Sequence, residues 1–171
     1  MGETILLRAT TLADAPALLA LHVAAASSPS SGLAREPDEM ALEHIEAALA
    51  KCLDGGVAIS AWAGETCAGD IHASRLGPRQ FAHNLMDLTV AVHPDHQGKG
   101  IGARLFEALF VQARLLTNPA IERIELMCSE SNAHALGLYQ RLGFQIEGRF
   151  PGRIRPRDGS LHADLAMAKV L

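Results

Sequence analysis

The sequence predicts one mixed α/β (α+β) domain over residues 1–171, a mostly antiparallel twisted sheet of about seven strands flanked by about four helices. Three observations lead there. Helical and strand-like periodicities follow one another in the order β-α-α-β-β-β-α-β-α-β-β, unlike the strict alternation that builds a parallel sheet. The turn dipeptides Gly64-Glu65 and Asp158-Gly159 each join two consecutive strand patterns, as hairpins do. Finally, 171 residues with 49% apolar and 20% charged composition suit one domain with its own core, and no repeat or linker divides them.

Thr4–Arg8 reads as the first strand. Thr11 and Asp14 form an imperfect capping box before helical spacing over 12–26, and Ser27-Ser28-Pro29-Ser30-Ser31-Gly32 is a loop. Asp38 is expected to cap a second helix carrying Met40, Leu42, Ile45, Leu49 and Leu53, ended by Gly55-Gly56. Val57–Ala63 and Cys67–Leu76 follow as a hairpin. Leu85–Val92 is a strand with Leu88, Val90 and Val92 on one face and Asp87, Thr89 and Ala91 on the other, stopped by His93-Pro94. A long helix covers about Gly100 to Leu116, Ile121–Cys128 is a strand, and Asn132–Arg141 is a short helix ended by Gly143. Phe144–Arg155 and Leu161–Val170 close the sheet.

Composition removes several classes of function. A net charge of −4 argues against a general nucleic-acid binder, which needs cations for phosphates. No run of eighteen apolar residues predicts a membrane span. Three cysteines without a Cys-x-x-Cys pair fit a reduced, cytoplasmic protein. No His-x-x-x-His pair and no acidic cluster announces a metal, so none is expected.

The most informative stretch follows the fourth strand. Gln97-Gly98-Lys99-Gly100-Ile101-Gly102-Ala103 puts three alternating glycines at the start of an amphipathic helix. Glycines admit a ligand close to the main chain, and the first turn of a helix offers unpaired N–H groups to phosphate oxygens. A Walker loop fails, because Gly-Lys is followed by Gly rather than Ser or Thr. A dinucleotide fingerprint matches in its glycines, but five residues separate the strand from the first glycine and the preceding strands are antiparallel. NAD binding would discriminate that reading.

The third reading is Gln97-x-x-Gly100-x-Gly102, which resembles the pyrophosphate loop of the GNAT superfamily of acyl-CoA-dependent N-acyltransferases. A second block, from Asn132 through Tyr139 to Gly143-Phe144, is similar to that family's Asn-x-x-Ala-x-x-x-Tyr-x-x-x-Gly-Phe segment. The order of elements is also the family's, so the resemblance covers essentially the whole chain.

The resemblance implies direct transfer of an acyl group from acetyl-CoA to an amine. Main-chain groups of Val90, Ala91 and Val92 would pair with the pantetheine arm, and the N–H groups from Gln97 to Ala103, including those of Gly98 and Lys99, would hold the pyrophosphate. Asn132 would bond the pantetheine, and Tyr139 would protonate the departing thiolate. For the base, the resemblance asks for a carboxylate, and Asp87 ranks ahead of Glu125 and Glu36. Cys128 has the alternative of a covalent nucleophile, set against plain packing at a strand end.

The acceptor is implied to be a small amine bearing a carboxylate, such as an amino acid, bonded through Glu36, Arg153 and Arg155. Arg153, Arg155 and Arg157 alternate, so a regular strand would project them from one face. The loop Ser27–Glu36 and the last hairpin would shape the acceptor's pocket. A protein N-terminus of the ribosomal type and a non-catalytic acyl-CoA binder stay open as alternatives. The resemblance also allows a homodimer, without pointing to the surface that would form it.

Overall fold

The computed structural model describes residues 4–29 and 31–171. Seven strands form one sheet in the order β1-β2-β3-β4-β5-β7-β6. They are β1 (Ile5–Ala9), β2 (Val57–Ala63), β3 (Thr66–Ser74), β4 (Asn84–Val92), β5 (Arg123–Ser129), β6 (Gln145–Ile154) and β7 (His162–Val170). Every neighbouring pair is antiparallel except β4 and β5, which run parallel. Four helices complete the fold: α1 (Ala15–Ala26), α2 (Leu42–Leu53), α3 (Ile101–Leu115) and α4 (Ala133–Arg141). The mixed, mostly antiparallel architecture read from the sequence is the one observed.

Both faces of the sheet's middle are covered, which explains why β2 and β3 are buried almost throughout rather than alternating. On one face, Ile101, Leu105, Phe106 and Leu109 of α3 pack against Ile59, Ile71, Leu85 and Ile124. On the other, Leu18 and Leu21 of α1 and Leu49 of α2 pack against Ala58, Cys67 and Ala91. Small sheet residues let the helices come close. A Cβ on Gly69 would lie 3.0 Å from Ile101 and 3.1 Å from Leu105, so the bare backbone of β3 seats the first turns of α3.

Three boundaries differ from the sequence reading. Thr11 does stop the chain before α1, donating from N–H and Oγ1 to Asp14 Oδ2 at 2.8 and 3.0 Å, but Leu12–Asp14 is a 3-10 turn and α1 starts at Ala15. Asp38 does not cap α2. Pro37–Glu39 forms its own 3-10 turn, Ala41 precedes the helix, and Asp38 instead pairs with Arg157. The expected alternation of Arg153, Arg155 and Arg157 is also broken. Gly152 has φ +65°, the pairing slips between Phe150 and Ile154, and β6 ends at Ile154.

The feature that makes room for a site is the β4–β5 seam. These parallel strands pair only at Asn84 with Arg123 and Leu85 with Ile124, then separate. Just beyond, Asp87 and Leu88 together stand opposite one β3 residue, between the Ser74–Met86 and His72–Thr89 pairs, and Asp87 has φ +50°. This is a β-bulge, and it bends β4 away from its parallel partner. No helix among the described residues is long and apolar enough to cross a membrane.

Candidate active site

The separated strands open a cleft of about 710 Å³, walled by β4, the glycine loop, α4 and residues Gly32–Ala34. Its floor holds Leu88, Thr89, Val90 and Val92 of β4 and Leu126 and Met127 of β5. His93 N–H bonds Ala68 O at 3.0 Å, and bonded and unbonded pairs alternate along an antiparallel ladder. Ala91, opposite Asp70, therefore spends its main-chain groups on β3, while Val90 and Val92 turn theirs toward the cleft. Val92 O already accepts from Gln97 Nε2 at 3.3 Å, which fastens the strand end to the loop. Of the three residues expected to offer main-chain bonds, Val90 and Val92 line the cleft and Ala91 is buried away from it.

The glycine loop follows. Gly98 and Gly100 have φ +73° and +76°, the left-handed region that strains any residue with a Cβ. Nothing lies within 4 Å of where those Cβ atoms would stand, so conformation and not crowding requires glycine there. The space is open toward the cleft, and α3 begins at Ile101 with the unpaired N–H groups of its first turn. Such a cradle fits a pyrophosphate. Gln97, Gly98, Gly100, Ile101, Gly102 and Ala103 all line the cleft. Lys99 does not; its Nζ lies 3.4 Å from His96 Nδ1.

Helix α4 forms the facing wall. Asn132 caps it, with Oδ1 accepting from Ala135 N–H at 3.1 Å, and its Nδ2 borders the loop before α2. A Cβ on Gly32 would come within 2.8 Å of that Nδ2, so the glycine permits the contact between loop and helix. Tyr139 is 8% exposed and packs edge-on against Phe106, with ring centroids 5.5 Å apart. Burial, with a smaller contribution from Cys128, pushes its hydroxyl pKa above the ordinary tyrosine value.

A second, smaller cavity of about 220 Å³ opens beside the first. Asp87, Arg123, Glu125 and Glu147 line it, and Leu88, Leu126 and Met127 line both cavities. Arg123 bonds Glu125 at 2.7 Å and forks onto Glu147, whereas no hydrogen bond or ion pair engages the exposed carboxylate of Asp87 among the described residues.

The expected acceptor residues lie elsewhere. Arg153 stands 3.6 Å from Asp164 and 5.0 Å over the Phe150 ring, Arg155 donates to Gly159 O at 3.3 Å, and Glu36 is 3.7 Å from Arg157. None lines either cavity. Cys128 is buried, and burial, aided by Asp164, pushes its thiol up to about 11, against the thiolate that a nucleophile needs. His134 and Arg141 also stand on the cleft wall, and the sequence motifs do not single them out. Arg141 follows Leu138 by three residues on the same helix, a spacing that was available to find it.

The family model described as "Acetyltransferase (GNAT) domain" matches residues 54–146, more than half of the chain. The chain belongs to the GNAT acetyltransferase family. Among similar proteins, L-methionine sulfoximine/L-methionine sulfone acetyltransferase of Pseudomonas paraeruginosa is 32% identical over 74 residues, 43% of this chain and 41% of that protein. Spermine/spermidine N(1)-acetyltransferase of Bacillus subtilis is 43% identical over 53 residues, 31% of this chain and 34% of that protein. The chain thus matches about two fifths or less of the length of these relatives. Over the whole fold, the GNAT acetyltransferase structure from Streptococcus pneumoniae superposes with a TM-score of 0.86 at 22% identity, covering 98% of this chain and 100% of the other.

Proposed function

We propose that this chain transfers an acetyl group from acetyl-CoA to the primary amine of a small acceptor, an amino acid or a related amine, by direct attack. The observation that carries the reading is the gap between β4 and β5, with a phosphate cradle and Tyr139 on one side and Asp87 on the other. Family membership supports the reaction class and the choice of acetyl-CoA.

In this mechanism the N–H groups of Gly98 to Ala103 hold the pyrophosphate, and Val90 and Val92 hold the pantetheine as an added strand would be held. Arg141 and His134, on the exposed wall of the cleft, face the nucleotide end. Toward the Asp87 end of β4, a main-chain N–H of the strand supports the thioester oxygen as charge develops there. Asp87 takes the amine's proton from the smaller cavity, directly or through a water. As the new C–N bond forms and the C–S bond breaks, Tyr139 gives its proton to the sulfur. Three carboxylates against one guanidinium around the smaller cavity favour an ammonium on approach. An acceptor carboxylate meets Arg123 there sooner than Arg153 or Arg155.

Thiol release from acetyl-CoA tests this with a panel of L-amino acids, methionine sulfone, spermidine and a short alanine-ended peptide. Turnover with the small amines and not the peptide is expected. Turnover with the peptide alone moves the acceptor class to protein N-termini. Acetyl-CoA binding without turnover on any amine removes the enzyme reading.

A further inference from the structure

Away from both cavities, α1 and β3 bring together three residues that the acetyl-transfer chemistry does not use. His22 of α1 and Asp70 and His72 of β3 are 4%, 0% and 5% exposed, sealed between the helix and the sheet. His22 Nε2 lies 3.0 Å and His72 Nδ1 2.8 Å from the same carboxylate oxygen, Asp70 Oδ2. The other oxygen, Oδ1, is buried and has no hydrogen-bond partner. No Lys or Arg pairs with this carboxylate among the described residues; its ion-pair partners are the two imidazoles.

A buried carboxylate without a cation is expensive, and a half-satisfied one more so. Two imidazole nitrogens and a carboxylate converging on one point are also the ligand types that divalent transition metals select. One ligand atom from each of the three residues lies within 4.8 Å of the other two. Ligand atoms about 2.1 Å from an ion lie about 3.4 Å apart in a tetrahedral site and about 3.0 Å apart at the right angles of an octahedral one. The observed separations of 2.8 and 3.0 Å are close to the octahedral edge length. From this convergence on a buried carboxylate with one oxygen unpartnered we propose that His22, Asp70 and His72 form a binding site for a divalent transition-metal ion, tying α1 to β3.

The site has a structural role in this proposal. Asp70 and His72 pair across the ladder with Ala91 and Thr89 of β4, and Thr89 lines the cleft, so an ion here stiffens the strand that floors the active site. Local spacing carries no sign of the three-residue cluster, because His22 is 48 residues from Asp70.

The test uses the full chain without a histidine tag. It is stripped by chelator, then loaded with Co2+ or Zn2+ both in the folded state and during refolding from urea, because the site is buried. About one equivalent of Co2+ retained after gel filtration, with visible d–d absorption that Zn2+ abolishes, is expected. His22→Gln and His72→Gln should each weaken retention at least about tenfold, while Mg2+ should not compete. Retention below about a tenth of an equivalent in both loading routes overturns the proposal. So does retention unchanged in those variants, or lost instead on replacing the neighbouring pair His93 and His96. The wild-type stoichiometry decides the matter even if a variant fails to fold.

Discussion

Tyr139 and Asp87 stand on opposite sides of one gap in the sheet: the hydroxyl side chain lines the larger cleft, the carboxylate lines the smaller cavity, and Leu88, Leu126 and Met127 line both. Acyl transfer takes a proton from the amine and gives one to the sulfur, and the gap between the two side chains leaves room for the reacting groups. The separation has a local cause, since the bulge at Asp87 and the short β4–β5 pairing create the gap and place the base at its edge.

Replacing Tyr139 by Phe removes the proton donor and leaves the ring against Phe106. Thiol release should fall by about 10²-fold or more, with acetyl-CoA affinity unchanged within about twofold. Single-turnover kinetics alongside equilibrium binding separate the two quantities. Unchanged release would remove Tyr139 from the chemistry.

Asp87 offers a cleaner pair of variants because its backbone is left-handed, at φ +50°. Asn tolerates that conformation, so Asp87→Asn should keep the fold and lose about 10²-fold in turnover. Asp87→Gly relieves the backbone and should be as inactive while unfolding at a higher temperature. A destabilised glycine variant would mean that the bulge is held by something other than backbone conformation.

Much of this was legible in the sequence for identifiable reasons. The loop from Gln97 to Gly102 and the Asn132–Tyr139 pair are local patterns, and they settle on the two walls of one cleft. The alternation expected of Leu85–Val92 failed at Asp87, because a bulge depends on how β3 pairs with β4 and leaves no composition signal. Strand periodicity places Arg153 and Arg155 on one face as a substrate clamp, but the strand ends between them. The smaller cavity draws on Asp87, Arg123, Glu125 and Glu147 from three strands, a grouping that only the sheet order creates.

Two glycines of the loop should answer differently to alanine. At Gly100, φ +76° makes Ala cost about 1–2 kcal/mol unless the loop rearranges, and acetyl-CoA affinity should drop about tenfold or more. A Cβ at Gly102 meets Leu138 at 3.7 Å and Val92 at 3.9 Å, ordinary contact distances. Gly102→Ala should therefore bind acetyl-CoA within about threefold of the parent. Calorimetry on both variants checks the contrast, and equal losses would contradict it.

Gly69 carries a different constraint, since a methyl there presses on Ile101 and Leu105 and stands 3.3 Å from Ala91 O. Gly69→Ala should destabilise by about 1–3 kcal/mol, visible in urea unfolding. The pressure falls on the first turn of α3, so acetyl-CoA affinity should weaken as well. A stability loss with binding intact would show that the sheet, not the helix start, absorbs the strain.

Tyr139 also fixes the alkaline behaviour. Burial raises its pKa above the ordinary value near 10, so the folded protein holds this proton more tightly than the unfolded chain does. Stability is then lost as pH rises beyond about 10, by up to about 1.4 kcal/mol per pH unit from this one group, until the folded form ionises in turn. Below that range the hydroxyl stays protonated and able to serve the thiolate, so turnover should rise with deprotonation of the amine and hold its plateau to pH about 10. Urea unfolding at pH about 8 and about 10.5 should cost the parent more stability than Tyr139→Phe, which has no proton to lose. Equal losses in the two proteins, or a turnover limb falling well below pH about 10 in a still-folded enzyme, would place the acid on another group.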